Sequence, residues 1–93
     1  MSEDRRLLTP DSVPRLWRVA RLDFDPVRQQ HVLLYPEGLV KLNMPATEIL
    51  KRCDGKTDVA GITADLEQAF SATGLRNDVD DFLNHAYAQH WIV

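Results

Sequence analysis

Apolar and polar positions alternate over the first half of the chain and then recur at helical spacing, which predicts strands first and helices second. Leu16 to Phe24 reads as a strand, with Leu16, Ala20, Leu22 and Phe24 on one face and Trp17 and Val19 on the other. Asp25-Pro26 opens a turn, because proline fixes φ and aspartate bonds back to the main chain. Gln30 to Tyr35 is apolar and partly β-branched and suits a second strand. Tyr35-Pro36-Glu37-Gly38 has the residue order of a type I turn, and Leu39 to Leu42 makes a short third strand. Two short turns between three strands predict an antiparallel meander.

The period changes at Asn43-Met44-Pro45, a helix start with asparagine as cap and proline in the first turn. Ala46, Ile49, Leu50 and Cys53 line one face, and Asp54-Gly55 is the expected stop. Thr57 is the candidate cap of a second helix with the stripe Val59, Ile62, Leu66, Ala69 and Phe70. Gly61 inside it costs up to about 1 kcal/mol relative to alanine, for which close helix packing is the expected reason. A loop around Gly74 follows. Asn77 and Asp80 are expected to cap each other at the start of a third helix, whose inner face is Val79, Phe82, Leu83, Ala86 and Tyr87. Trp91-Ile92-Val93 is an apolar tail expected to tuck into the core or pair with another chain. The fold class is therefore α+β: a small winged-helix-like domain, a three-stranded antiparallel meander followed by three helices. Residues 1–15, polar with Pro10 and Pro14, read as a mobile N-terminal arm, and 16–93 as a single domain.

Composition bounds what such a domain does. Ninety-three residues, 44% hydrophobic and 27% charged, make one ordinary globular core and no deep cleft between lobes. The polar start lacks the apolar stretch of a signal peptide, and no run approaches the roughly 18 residues of a membrane span. With Cys53 as the lone cysteine, the expected setting is the cytoplasm, with no membrane partner.

Candidate chemistry is thin. His31, His85 and His90 share no ligand spacing with one another or with Cys53, so no metal site is expected. Cys53 lies on an apolar stripe, where a thiol behaves as a small hydrophobe. The four glycines are isolated and form no phosphate-binding loop. Asp78, Asp80 and Asp81 suit the positive end of a helix dipole. The sequence thus points to a non-enzyme without cofactor or catalytic residues. A winged-helix nucleic-acid-binding protein is the alternative reading, but the third helix opens Asn77-Asp78-Val79-Asp80-Asp81 and repels phosphate in the usual docking pose. Residues 44–93 carry four basic and eight acidic groups. An open meander also has free edges, to which an extended peptide can add as a strand.

One stretch narrows the choice. Val32 to Gly55, VLLYPEGLVKLNMPATEILKRCDG, resembles the central motif of the PqqD family: an apolar strand, PEG, a short strand ending LN, and a helix ending CDG. Arg21-Leu22 with Phe24-Asp25-Pro26-Val27-Arg28 is similar to the family's RL-x-FD-x-VR opening, and Asp78-Val79 with Phe82-Leu83 to its DV-x-x-FL helix. His90 stands where the family usually has glycine before the tryptophan, which leaves the exit turn of the third helix undetermined. The resemblance implies a peptide chaperone of pyrroloquinoline quinone biosynthesis, a recognition element for ribosomally made, modified peptides (RiPPs). It would bind the precursor peptide PqqA and present it to the radical SAM enzyme PqqE, which crosslinks a glutamate and a tyrosine of that peptide. Carried onto this chain, the peptide pairs with Leu39, Val40, Lys41 and Leu42 and rests on Asp78, Asp81, Phe82 and His85 of the third helix. The arm and short turns also allow a homodimer by strand exchange.

Overall fold

The structure is a computed structural model and describes residues 8–93. Three antiparallel strands, β1 (Arg21–Asp25), β2 (Gln30–Tyr35) and β3 (Gly38–Leu42), are followed by three helices, α1 (Met44–Lys51), α2 (Val59–Ala69) and α3 (Arg76–Ala88). The sheet order is β1-β2-β3, so the meander and the α+β class are as the pattern predicts. Leu22 pairs with Leu33 and Leu33 with Val40, and this row faces the helices. Leu33 at its centre is fully buried, and Leu42, one pleat further on, joins the same core.

The first strand is shorter than expected. Its predicted opening, Leu16 to Ala20, instead joins the chain's two ends. Leu16 bridges Ile92, Arg15 and Val93 exchange both main-chain hydrogen bonds, and Trp17 donates to the Trp91 oxygen at 2.9 Å. A turn closed from the Ala20 N–H to the Trp17 oxygen (2.8 Å) then breaks the period before β1 begins. Ala20 is buried as expected. Phe24, at the sheet's rim, is half exposed and meets His31 edge-on at 4.9 Å.

Ahead of that bridge, residues 8–14 lie along the helices. Leu8 donates to Asn84 Oδ1 at 2.8 Å, and the Pro10 and Ser12 oxygens accept from Ala60 and Val59 at the start of α2. Pro14 is buried. The remainder of the expected N-terminal arm, residues 1–7, lies outside the described residues.

Helix ends depart from expectation by one or two residues. Asn43 caps α1 as predicted, accepting from Ala46 N at 2.9 Å. The helix stops at Lys51, two residues before the end of its apolar stripe at Cys53; Arg52 is its cap residue, and its side chain bonds the Glu48 oxygen and side chain and reaches across to Asp65 on α2. The guanidinium of Arg52 holds the Glu48 carboxyl below its ordinary value. Asp58 rather than Thr57 caps α2, through Gly61 N at 2.7 Å. This also corrects the reason for Gly61. A Cβ there would stand 2.8 Å from the Thr57 methyl and 3.1 Å from Asp58 Oδ1, so the cap itself, not another helix, excludes a side chain. On α2 the stripe is buried at Val59, Ile62 and Leu66 but not at Ala69 or Phe70.

Helix α3 begins at Arg76, ahead of the expected Asn77–Asp80 cap. Leu75 is its cap residue and makes no side-chain cap bond; its own N–H donates to Glu67 Oε2 on α2 at 3.0 Å. Val79, Leu83 and Ala86 are buried and Phe82 and Tyr87 half-buried, as the stripe predicts. At the far end His90 takes φ 66°, the left-handed conformation that glycine favours. Trp91 N bonds the Ala86 oxygen and His90 N the Tyr87 oxygen, a complete Schellman turn built on histidine. That turn drives Trp91 and Ile92 into the core.

Candidate groove between the edge strand and the third helix

The chain's turn from β3 into α1 leaves β3 as an open sheet edge with α3 running nearby. Between them lies a groove of about 340 Å³. Val40, Lys41 and Leu42 form one wall. Asp78, Phe82 and His85, at helical spacing on one stripe of α3, form the other. Buried Ala46, Ile49 and Trp91 make the floor, and Asn43 and Pro45 close the corner where the strand becomes a helix.

Main-chain direction along β3 follows from one contact. Gln30 Nε2 donates to the Leu42 oxygen at 3.1 Å, so that carbonyl points toward β2. Alternate residues of a strand point their N–H and C=O the same way. Val40 therefore also faces β2, and Leu39 and Lys41 carry the main-chain groups of the free edge. A strand added here would bond to two of the four residues, Leu39 and Lys41.

Six of the eight expected site residues thus line one groove. Leu39 and Asp81 do not: Leu39 is 48% exposed outside it, and Asp81 is exposed further round α3. Sequence reasoning missed Pro45, Ile49 and Trp91. Trp91 was legible only as part of an apolar tail, because its place under the groove depends on the turn at His90. Its ring lies edge-on to His85 at 5.3 Å and tilted to Phe82 at 6.4 Å. Among the described residues, buried Trp91 Nε1 finds no acceptor.

Cys53 is buried in the core, donates to the Ile49 oxygen, and burial pushes its thiol up to about 12. A thiolate, the nucleophilic form, is then scarce near neutrality. Among the described residues no cluster of three or more His, Cys, Asp or Glu could hold a metal ion, and no helix is long and apolar enough to cross a membrane. The single Lys or Arg on α3, Arg76, is engaged by Asp80 at 2.9 Å, so this helix offers phosphate little.

Comparison with known proteins agrees with this architecture. The model of the family described as "Coenzyme PQQ synthesis protein D (PqqD)" matches residues 30–92, the greater part of the chain. The chain belongs to the PqqD family. A protein of Pseudomonas aeruginosa (strain UCBPP-PA14), named "PqqA binding protein", is 53% identical over 83 residues, covering 88% of this chain and 90% of its own. "PqqA binding protein 1" of Pseudomonas putida (strain KT2440) is 43% identical over 95 residues, covering all of this chain and 98% of its own. The solution NMR structure of the PqqD truncation of Methylobacterium extorquens PqqCD, described as a functional, stand-alone RiPP recognition element, superposes with a TM-score of 0.75. It is 32% identical, over 97% of this chain and 98% of that one. The PqqD fold is thus shared at the level of sequence and of three-dimensional structure.

Proposed function

We propose that this chain is a peptide chaperone of pyrroloquinoline quinone biosynthesis. It binds the precursor peptide PqqA as a strand added to β3 and presents it to the radical SAM enzyme PqqE, with no catalysis or cofactor of its own. The observation that carries the reading is the placement of a free strand edge beside an apolar-floored groove. Main-chain bonds from Leu39 and Lys41 would supply affinity, and the groove would select side chains. Asp78 at its rim suits a basic side chain of the peptide, and Asp81 a further one beyond it. The names of the P. aeruginosa and P. putida relatives and the recognition-element role of the M. extorquens domain support the same ligand class.

Titration of the isotope-labelled chain with PqqA tests it. The amides of Leu39 and Lys41 and signals of Phe82, His85 and the Trp91 indole should shift together. Absence of any shift at peptide concentrations far above micromolar would overturn the reading. Presentation to PqqE has its own test: crosslinking of the peptide by the enzyme should be lost or strongly slowed when this chain is left out.

A further inference from the structure

We propose that the groove continues into a second apolar compartment, which takes one large apolar side chain of the same peptide from outside its strand-paired segment. This rests on the peptide-binding reading above and extends it to a second anchor point.

The compartment is a cavity of about 170 Å³ walled by α1, α2 and the start of α3. Leu66, Phe70, Leu75 and Val79 line it, together with Pro45, Ile49 and Asp78. Those last three also line the first groove, so the two spaces meet across a ridge of Pro45, Ile49 and Asp78. Asp78 is the one charged residue in its lining. An apolar protein cavity of about 150 Å³ holds benzene, so the space suits one side chain the size of leucine or phenylalanine.

Phe70 is otherwise unexplained by the fold. It closes α2 as the C-cap residue, 46% exposed and outside the core cluster, while Ile62 and Leu66 of the same stripe are buried. The turn after it is fixed. Ser71 takes φ 52°, with Ala72 N bonded to the Glu67 oxygen and Ser71 N to the Gln68 oxygen. The backbone that carries the ring is therefore fixed beside the cavity, and the ring lines it.

The occupant follows from size and continuity. A stable dimer needs roughly 800 Å² buried on each partner, and this cavity admits a single side chain. Its lining meets that of the groove at Pro45, three residues past the end of β3, so a peptide continuing beyond Leu42 would reach it. The anchor residue thus lies beyond the paired segment.

Methyl-labelled chain titrated with PqqA reads this directly. The methyls of Leu66, Leu75 and Val79 should move along with the Lys41 amide. Phe70→Ala should weaken binding by about tenfold, the equivalent of one apolar contact, and Gln68→Ala on the same helix should not. Replacing the peptide's apolar residues one at a time by alanine should reveal one whose loss costs affinity in the parent chain but not in Phe70→Ala. Movement of Lys41 without the three methyls, and equal affinity for Phe70→Ala, would overturn the second anchor and leave strand addition standing. Silence at both places would overturn both readings. Methyl shifts that follow protein concentration rather than peptide would assign the cavity to self-association and overturn the proposal.

Discussion

The side-chain amide of Gln30 donates to the main-chain oxygen of Leu42 at 3.1 Å, and this contact separates the two faces of the β3 backbone. Proline scanning of β3 should therefore split by position. Lys41→Pro removes an N–H from the free edge, where proline is tolerated. The chain should stay folded by circular dichroism and lose about tenfold in PqqA affinity by calorimetry, the worth of one hydrogen bond. Val40→Pro removes an N–H aimed at β2 and should lower the unfolding temperature first. Equal affinity for a folded Lys41→Pro variant would exclude strand addition.

His90→Gly should stabilise the domain. Histidine at φ 66° bears the left-handed penalty that glycine avoids, and every main-chain bond of the Schellman turn is retained. The expected gain is about 0.5–1 kcal/mol, or about 4 °C in Tm for a domain this small. Thermal unfolding of the purified variant measures it, and PqqA affinity should be unchanged.

Arg52→Ala should cost about 1 kcal/mol near neutral pH, through loss of its contacts with Glu48 and Asp65. Arg52 holds the Glu48 carboxyl below its ordinary value of 4.5. A depressed carboxyl stabilises the fold at pH above the unfolded value, and that contribution disappears as pH falls through the folded one. The gap between parent and variant in urea unfolding should therefore shrink as pH drops below 4.5 and stay constant above about pH 6.

The contrast between β2 and the first strand shows what was legible in the sequence and what was not. Leu33, Val40 and Leu42 carry a period-two pattern whose neighbours are close in the chain, so their strands and pairing could be read directly. Leu16 carries the same pattern, but its partner is Ile92, and no local rule announces a pairing across the whole chain. Caps failed similarly. Asn43 caps α1 by a contact three residues away, whereas the N–H of Leu75 is met by Glu67 on another helix. Within the groove, Asp78, Phe82 and His85 followed from the family resemblance carried onto the third helix. Pro45, Ile49 and Trp91 required the packing of α1 beneath α3.

Cys53 should resist alkylation in the folded state. Burial pushes its thiol from an ordinary value of 9.0 up to about 12. Modification by iodoacetamide at pH 8 should be slow in buffer and fast in denaturant. Because burial favours the neutral thiol, its contribution to stability is complete below pH 9.0 and fades as pH rises toward 12.

The bridge from Leu16 to Ile92, with Arg15 bound twice to Val93, sets the order in which the domain can be completed on the ribosome. The meander can pair as soon as it emerges, and Arg15 and Leu16 can meet Asp54 and Cys53 soon after, but their bonds to residues 91–93 wait until that stretch has been made. Until then Leu33 and its neighbours lack the cover that Trp91 and Ile92 provide. Closure is a late event. Chain arrested a few residues short of Val93 should therefore be an open, protease-sensitive species whose ends have yet to meet.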